Sequence, residues 1–474
     1  MYKYEDKQIT IDEFEQPVGM HLKAENRWVK KAMMIPWGEI ESRYAKLFTN
    51  NKGNVAKSLH LALGACIIQA EYDYSDEETA FQIQEGAYLQ YFCGYKAYDD
   101  SKLPFDPSLM VYFRKRLTPA ILGEINEMII AKAQQESKKN DENDKGNKPE
   151  PPSNSGTMIV DATCAPSQIS YPQDTKLLND ARESTEEFID ALHDAGEEKP
   201  RTYRKRARKD YLAIVRNRKP TAKMIRKAIG KQLGYIRRNL GNIEKMLSKG
   251  RKLTSRQNER LDTVRKVYNQ QKYMYENHTH SVSDRIVSLN QPWIRPIVRG
   301  KAKTPVEFGA KLDISVVNGW TRLEYQSFDA YNESTKMVEM VERYRERTGS
   351  YPQRVLADKI YRNRENLRYC AEKGIHLSGP ALGRPKANEK RDRKQDYIDV
   401  CERVEVERRF SLAKRKCGLG LIVTKLSETA RHCVAMSIIV LNLRKVLRAF
   451  FTFLDEIFES LIYQIFQQKN AFVQ

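Results

Sequence analysis

The sequence predicts an α/β fold: a mixed sheet flanked by helices, preceded by a helical N-terminal region and interrupted after its first strand by a long basic helical insertion. Three observations predict it. Two apolar runs, Thr157-Met-Ile-Val-Asp-Ala-Thr163 and Arg354-Val-Leu-Ala-Asp358, each read as a strand that delivers an aspartate to the rim of a sheet. An Asn318-Gly319 pair separates two alternating runs, Val306–Val317 and Trp320–Phe328, which is a strong hairpin signal. Between the first strand and the hairpin the charge reverses abruptly, with apolar residues at helical spacing.

Residues 36–135 read mainly as short helices, with start signals at Asp106-Pro107 and Thr118-Pro119, where a capping side chain precedes a proline preset for the first turn. Residues 136–156 hold no large apolar side chain, cannot offset ordering entropy by burial, and are expected to form a linker. The first strand follows, then an acidic helix over 177–195. From Lys199 to Lys252 there are 20 Lys or Arg against two acids, Asp210 and Glu244, and the spacing of Ile225, Ile229, Leu233, Ile236, Leu240, Ile243 and Leu247 predicts one long amphipathic helix. It belongs to an insertion over about 175–280. After the hairpin come a helix at 334–347, the strand ending at Asp358, a helix at 361–373, a short strand at 375–378 and a basic helix carrying Glu407. The expected organisation is a helical region 1–135, the linker 136–156, an α/β unit 157–447 and a C-terminal helix 448–474.

Composition narrows the partners. In 474 residues, 82 Lys and Arg against 62 Asp and Glu give a net charge of +20, which favours a polyanion and above all nucleic acid. The seven cysteines include no C-x-x-C pair, so neither a zinc ribbon nor a disulfide framework is indicated and a reducing, cytoplasmic setting is expected. The first residues open with charge rather than an apolar h-region. Near the C-terminus, residues 449–466 are apolar but interrupted by Asp455, Glu456 and Glu459, and are read as a packing helix rather than a membrane span.

Asp161 and Asp358 each end an apolar strand; if the strands are neighbours, both side chains reach one crevice. On a helix advancing about 100° per residue, Arg403, Glu407 and Lys414 share a face, whereas Glu405 lies on the far side. Carboxylates flanked by cations suit two-metal phosphoryl transfer, and hard oxygen ligands suit Mg2+, with Mn2+ as a substitute. The bland alternatives are a turn cap at each aspartate and an i,i+4 ion pair between Arg403 and Glu407.

The Arg-x3-Glu-x6-Lys spacing at Arg403, Glu407 and Lys414, followed by Cys417-Gly-Leu-Gly-Leu421, resembles the YREK signature of bacterial insertion-sequence DDE transposases. Ile159-Val-Asp-Ala-Thr163, Leu356-Ala-Asp-Lys-Ile-Tyr361 and Arg299-Gly-Lys-Ala-Lys-Thr-Pro-Val-Glu-Phe-Gly309 resemble the same family, as do Tyr91-Phe-Cys-Gly-Tyr95 and Phe105–Leu117 in the N-terminal region. The signature tyrosine falls at Val400, with Tyr397 one turn earlier. The resemblance implies a ribonuclease H-like catalytic unit, Asp161, Asp358 and Glu407 as catalytic metal ligands, and Arg403 and Lys414 as holders of DNA-end phosphates. Its implied partners are double-stranded DNA, both the terminal inverted repeats and the target, with at least a homodimer in the paired complex and no membrane. A nucleoid-associated bacterial protein is expected. Basic residues of the insertion, Arg204, Lys205, Arg206, Arg237 and Arg238, and of the N-terminal region, Arg114 and Lys115, are further candidates for DNA contact. A catalytically silent DNA-binding protein and an ordinary ribonuclease H-like nuclease are the alternative functions.

Overall fold

The computed structural model describes residues 2–4, 8–49, 54–141, 154–298, 306–380 and 392–448. Seven helices come first: α1 (Arg27–Met34), α2 (Trp37–Ala45), α3 (Leu59–Tyr72), α4 (Asp76–Glu85), α5 (Ala87–Phe92), α6 (Leu109–Arg116) and α7 (Pro119–Asp141). Their boundaries are chemical. Ser58 and Ser75 cap α3 and α4 by accepting from the backbone N–H groups of Leu61 and Glu78. Asp106 accepts from the Ser108 N–H ahead of α6. Thr118-Pro119 opens α7, which continues to Asp141 and so takes up the start of the stretch expected to be linker. Residues 142–153 of that stretch lie outside the described residues, as does the segment 449–474 expected to form a terminal helix.

The sheet comprises β1 (Thr157–Pro166), β2 (Pro296–Val298), β3 (Val306–Val317), β4 (Trp320–Ser327), β5 (Arg354–Leu356) and β6 (His376–Leu377). Its order is β2-β3-β1-β5-β6, with β4 also paired to β3. Strands β1 and β3 and strands β3 and β4 are antiparallel, whereas β1 to β5 and β5 to β6 are parallel, so the sheet is mixed as expected. The β3–β4 turn has two residues, Asn318 and Gly319, at φ 51° and 73°. Positive φ at both central residues matches the right-handed twist of the flanking strands.

Between β1 and β2 lie α8 (Asp174–Leu192), α9 (Arg204–Val215), α10 (Ala222–Ser248) and α11 (Ser255–Glu276). The single helix expected over 199–252 is therefore two, broken around Lys219-Pro220, where proline disfavours a helical residue before it and Thr221 starts α10 as its cap. Helices α8, α10 and α11 enclose their own core, with Leu178, Ile189, Ile236, Ile243, Leu261 and Val264 buried together. After β4 come α12 (Met337–Thr348), α13 (Arg364–Glu372) and α14 (Arg393–Lys416), then a helix over 427–448.

One sheet face, through Met158, Val160 and Val355, packs on α12 and α13 with Met337, Val341 and Cys370. The other, through Ile159, Ala165, Leu312 and Ile314, joins the N-terminal helices, α14 and the helix over 427–448 in one continuous apolar cluster. Polar ties reinforce that junction. Asn442 donates to Asn126 Oδ1 at 2.7 Å and to the Thr321 carbonyl at 2.8 Å, while accepting from the Thr321 N–H at 3.0 Å. Glu71 takes Lys31 on one side and Arg444, at 3.0 Å, on the other.

Candidate functional site

The parallel register Thr157↔Arg354 and Ile159↔Leu356 places Asp161 and Asp358 at matching distances beyond it, four residues past the first pair. Asp358 lies just past the end of β5, but Asp161 does not end its strand as expected: β1 runs on to Pro166, held by its pairing with β3, so Asp161 sits mid-strand at the level where β5 stops. Asp161 is half-buried on the sheet face against which α14 packs, and its Oδ1 accepts from the Ala162 N–H at 2.8 Å. Asp358 is exposed and caps the turn that follows by accepting from the Lys359 N–H at 2.7 Å. The cap and the site candidate are therefore the same side chain.

Helix α14 crosses β1 and β5 and carries the third carboxylate. Glu407 is exposed and its Oε1 lies 3.4 Å from Arg403 Nη2, the i,i+4 pair. Glu405 is engaged elsewhere, at 2.6 Å from Arg409. Burial pushes the Asp161 carboxyl above the ordinary carboxylate range; the Ala162 N–H and the Arg403 guanidinium oppose the shift, and the charges of Asp358 and Glu407 add to it. The three carboxylates and Arg403 therefore share one electrostatic field.

Hard oxygen donors on one strand, just past the end of its neighbour and on a helix fit the chemistry of a divalent cation such as magnesium or manganese. The side chains are not gathered around one point: among the described residues no group of three or more His, Cys, Asp or Glu is close enough to hold a metal ion. Glu407 pairs with Arg403.

The candidate DNA contacts divide by placement. Lys414 is half-buried and Arg403 lies beside Glu407. Lys205, Arg206, Arg237 and Arg238 are exposed on α9 and α10, and the Arg238 guanidinium lies 4.6 Å from the Tyr203 ring centroid. Arg204 is exposed but holds Asp190 with both terminal nitrogens, at 3.1 and 2.7 Å. Lys115 is exposed, 3.8 Å from Glu428. Arg114 does not fit the expectation of DNA contact: its side chain is 4 % exposed, pairs with Asp76, and donates to Gln69 at 3.2 Å. It lies at the last turn of α6 facing inward, an orientation that the run Arg114-Lys115-Arg116 does not reveal.

Two features escape the sequence reading. Asp313, on β3 across from Ala162, is fully buried. Burial pushes its carboxyl up to about 7, with Glu333 and Asp161 adding and Tyr331 and Lys311 opposing. An aspartate inside the alternating run Leu312-Asp313-Ile314 is the signal that was there to be read. The other is an ion-pair network around Arg354 and Asp399, for which no local signal exists.

Comparison with known proteins bears on this geometry. Residues 355–444, from β5 through α14 into the last described helix, match the model of the transposase DDE domain, and residues 18–116 match that of a transposase domain (DUF772). These two matches support a DDE-type insertion-sequence transposase. The first match includes Asp358, Arg403, Glu407 and Lys414; the second covers most of the N-terminal helices of the chain. It is also 28% identical over 149 residues to an uncharacterised protein, ORF8 in the nfe locus of Rhizobium meliloti, a match spanning 31% of the chain and 66% of that relative. No solved structure matches it. No described helix is long and apolar enough to cross a membrane.

Proposed function

We propose that this protein binds the terminal inverted repeats of an insertion sequence, cuts the DNA at their ends and joins the freed 3′ hydroxyls to target DNA. The observation that supports the reading is that Asp161 and Asp358 lie at matching levels on adjacent parallel strands, with Glu407 and Arg403 on the helix packed against them, near enough for their charges to act on the Asp161 carboxyl. The strand order β4-β3-β1-β5-β6, antiparallel then parallel, supports a ribonuclease H-like unit.

Asp161, Asp358 and Glu407 are the residues that would hold magnesium or manganese. When bound, such ions neutralise charge at the scissile phosphate and acidify the attacking oxygen. The chain's own residues set the conditions. An exposed i,i+4 pair contributes only ~0.3–0.5 kcal/mol, so a DNA phosphate readily draws Arg403 away and leaves the Glu407 carboxylate open. Lys414, two turns further along α14, meets the next stretch of backbone. Exposed cations of α9 and α10 neutralise phosphates without reading sequence, and pairing of two ends requires a second copy of the chain.

The Arg403–Glu407 pair also favours a second reading, a DNA-binding protein that does not cut. Both are tested by incubating a labelled duplex of the element's end with magnesium or manganese. Nicking at the end, followed by strand-transfer products, is expected of the wild type, and is expected to vanish in Asp161→Ala, Asp358→Ala and Glu407→Gln with binding retained. A wild type that binds but never cuts supports the silent reading; cutting by Glu407→Gln removes that residue from the site. Cutting without strand transfer indicates a plain nuclease.

A further inference from the structure

We infer that Arg354 is a positioning residue that ties together the three elements delivering the acidic triad. The inference rests on the function proposed above. Arg354 starts β5, four residues before Asp358, and pairs in register with Thr157, which starts β1 four residues before Asp161. Its Nη2 donates to Thr157 Oγ1 at 2.9 Å. The same guanidinium reaches α14: Nη1 donates to Asp399 Oδ1 at 2.7 Å and Nη2 to Glu402 Oε2 at 2.9 Å. One planar fork therefore touches β1, β5 and α14 at the ends opposite their carboxylates, a geometry that lysine cannot reproduce.

The tie matters because the apolar contacts of α14 with the main core begin only at Val406, leaving its N-terminal half to be fixed by polar contacts. Its fully buried residues are Asp399, Val406 and Ala413, spaced by seven, so one of the three is polar, and the half-buried Phe410 and Leu412 add apolar packing only toward its C-terminal end. Asp399 is 3 % exposed on its side chain and also lies 3.0 Å from His376 Nε2 on β6 and accepts from Gln395 at 2.7 Å. Glu407 stands eight residues beyond Asp399, about 12 Å along the axis, and a slip of one residue turns it by about 100°. Releasing Asp399 frees the helix to turn. Removing Arg354 also leaves a buried carboxylate short of its cation, which favours a shifted helix over the native seat.

A fold-stabilising ion pair alone would change melting and nothing else in proportion; a positioning residue changes metal binding and turnover in a chain that remains folded. The test measures Mn2+ binding by electron paramagnetic resonance without DNA, end nicking in Mg2+ and thermal melting, for wild type, Arg354→Gln, Arg354→Lys, Glu402→Gln and, as an exposed control, Arg368→Gln. The expected result for Arg354→Gln is a folded protein that binds DNA, with Mn2+ affinity and nicking each reduced about 10- to 100-fold. Arg354→Lys restores little of either, Glu402→Gln shows a smaller loss in both, and the control matches wild type. If Arg354→Gln fails to fold, Glu402→Gln decides: it keeps the Asp399 contact, and unchanged Mn2+ affinity in it overturns the inference. A folded Arg354→Gln with wild-type Mn2+ affinity overturns it as well. A wild type that binds Mn2+ but does not nick ends the transposase reading while leaving the anchor to be judged on metal affinity; a wild type that binds no Mn2+ ends both.

Discussion

Asp313 shows how a single buried side chain can couple the sheet to pH. Both carboxyl oxygens are buried without a hydrogen bond of normal geometry, although the Tyr331 hydroxyl and Lys311 oppose the rise that burial causes. Its value in the folded protein, about 7, lies above the ordinary 3.8, so the fold favours the protonated acid. The sign follows: this group's contribution is fully present below about pH 4 and is lost as pH rises toward and through 7. Asp313→Asn keeps the shape and stays neutral, so it should unfold at higher urea than wild type at pH 8, by on the order of a few kcal/mol, with a much smaller difference at pH 5. The comparison is made without divalent metal, and its difference form cancels other titrating groups such as His432, which burial holds down to about 4. An equal wild-type-to-variant difference at both pH values would mean that Asp313 is not held neutral.

At the scale of elements, the β3–β4 hairpin is the part of the fold that one dipeptide dictates. Gly319 has φ +73°, and a Cβ there would meet Lys445 Nζ at 2.9 Å and Arg409 Nη2 at 3.2 Å. Gly319→Ala is therefore expected to cost about 1 kcal/mol or more in urea unfolding, while Asn318→Gly costs little; equal small losses in both would show that the turn is not strained. The hairpin was legible because its signal is local. The helix expected over 199–252 was only partly so: its apolar spacing holds within α10, but the stop at Lys219-Pro220 was passed over in favour of continuous charge. Three-residue β2 is too short to show a period and exists through pairing with β3, whereas β6, paired with β5, falls within the short strand expected at 375–378. The same division holds at the candidate site. Asp161, Asp358 and Glu407 stand out because an aspartate in an apolar run and helical spacing are properties of short windows, whereas the run of β1 past Asp161 to Pro166 depends on its pairing with β3. Arg354 and Asp399 are ordinary residues until tertiary packing places them 2.7 Å apart, and the inward turn of Arg114 depends on Asp76 in another helix.

Across the whole molecule, apolar packing and charge divide the labour. The N-terminal helices, one sheet face and the helix over 427–448 share a continuous core, whereas α8, α10 and α11 enclose a core of their own and, with α9, present much of the basic surface. The acidic side of that insertion already takes some of its cations: Asp190 holds Lys199 and Arg204, Asp210 holds Lys231, and Glu197 holds Lys249. Lys205, Arg206, Arg237 and Arg238 remain exposed for a phosphate backbone. Each phosphate neutralised by such a residue releases counterions and steepens the fall of log K with log salt by ~0.9. Replacing all four by glutamine should therefore reduce that slope by about 2 or more, for arbitrary duplex as much as for the element's end, with unchanged melting. Titration of a labelled duplex across a salt series measures it. Loss confined to the end sequence would assign these side chains to base reading, and an unchanged slope would place the DNA on another face of the molecule.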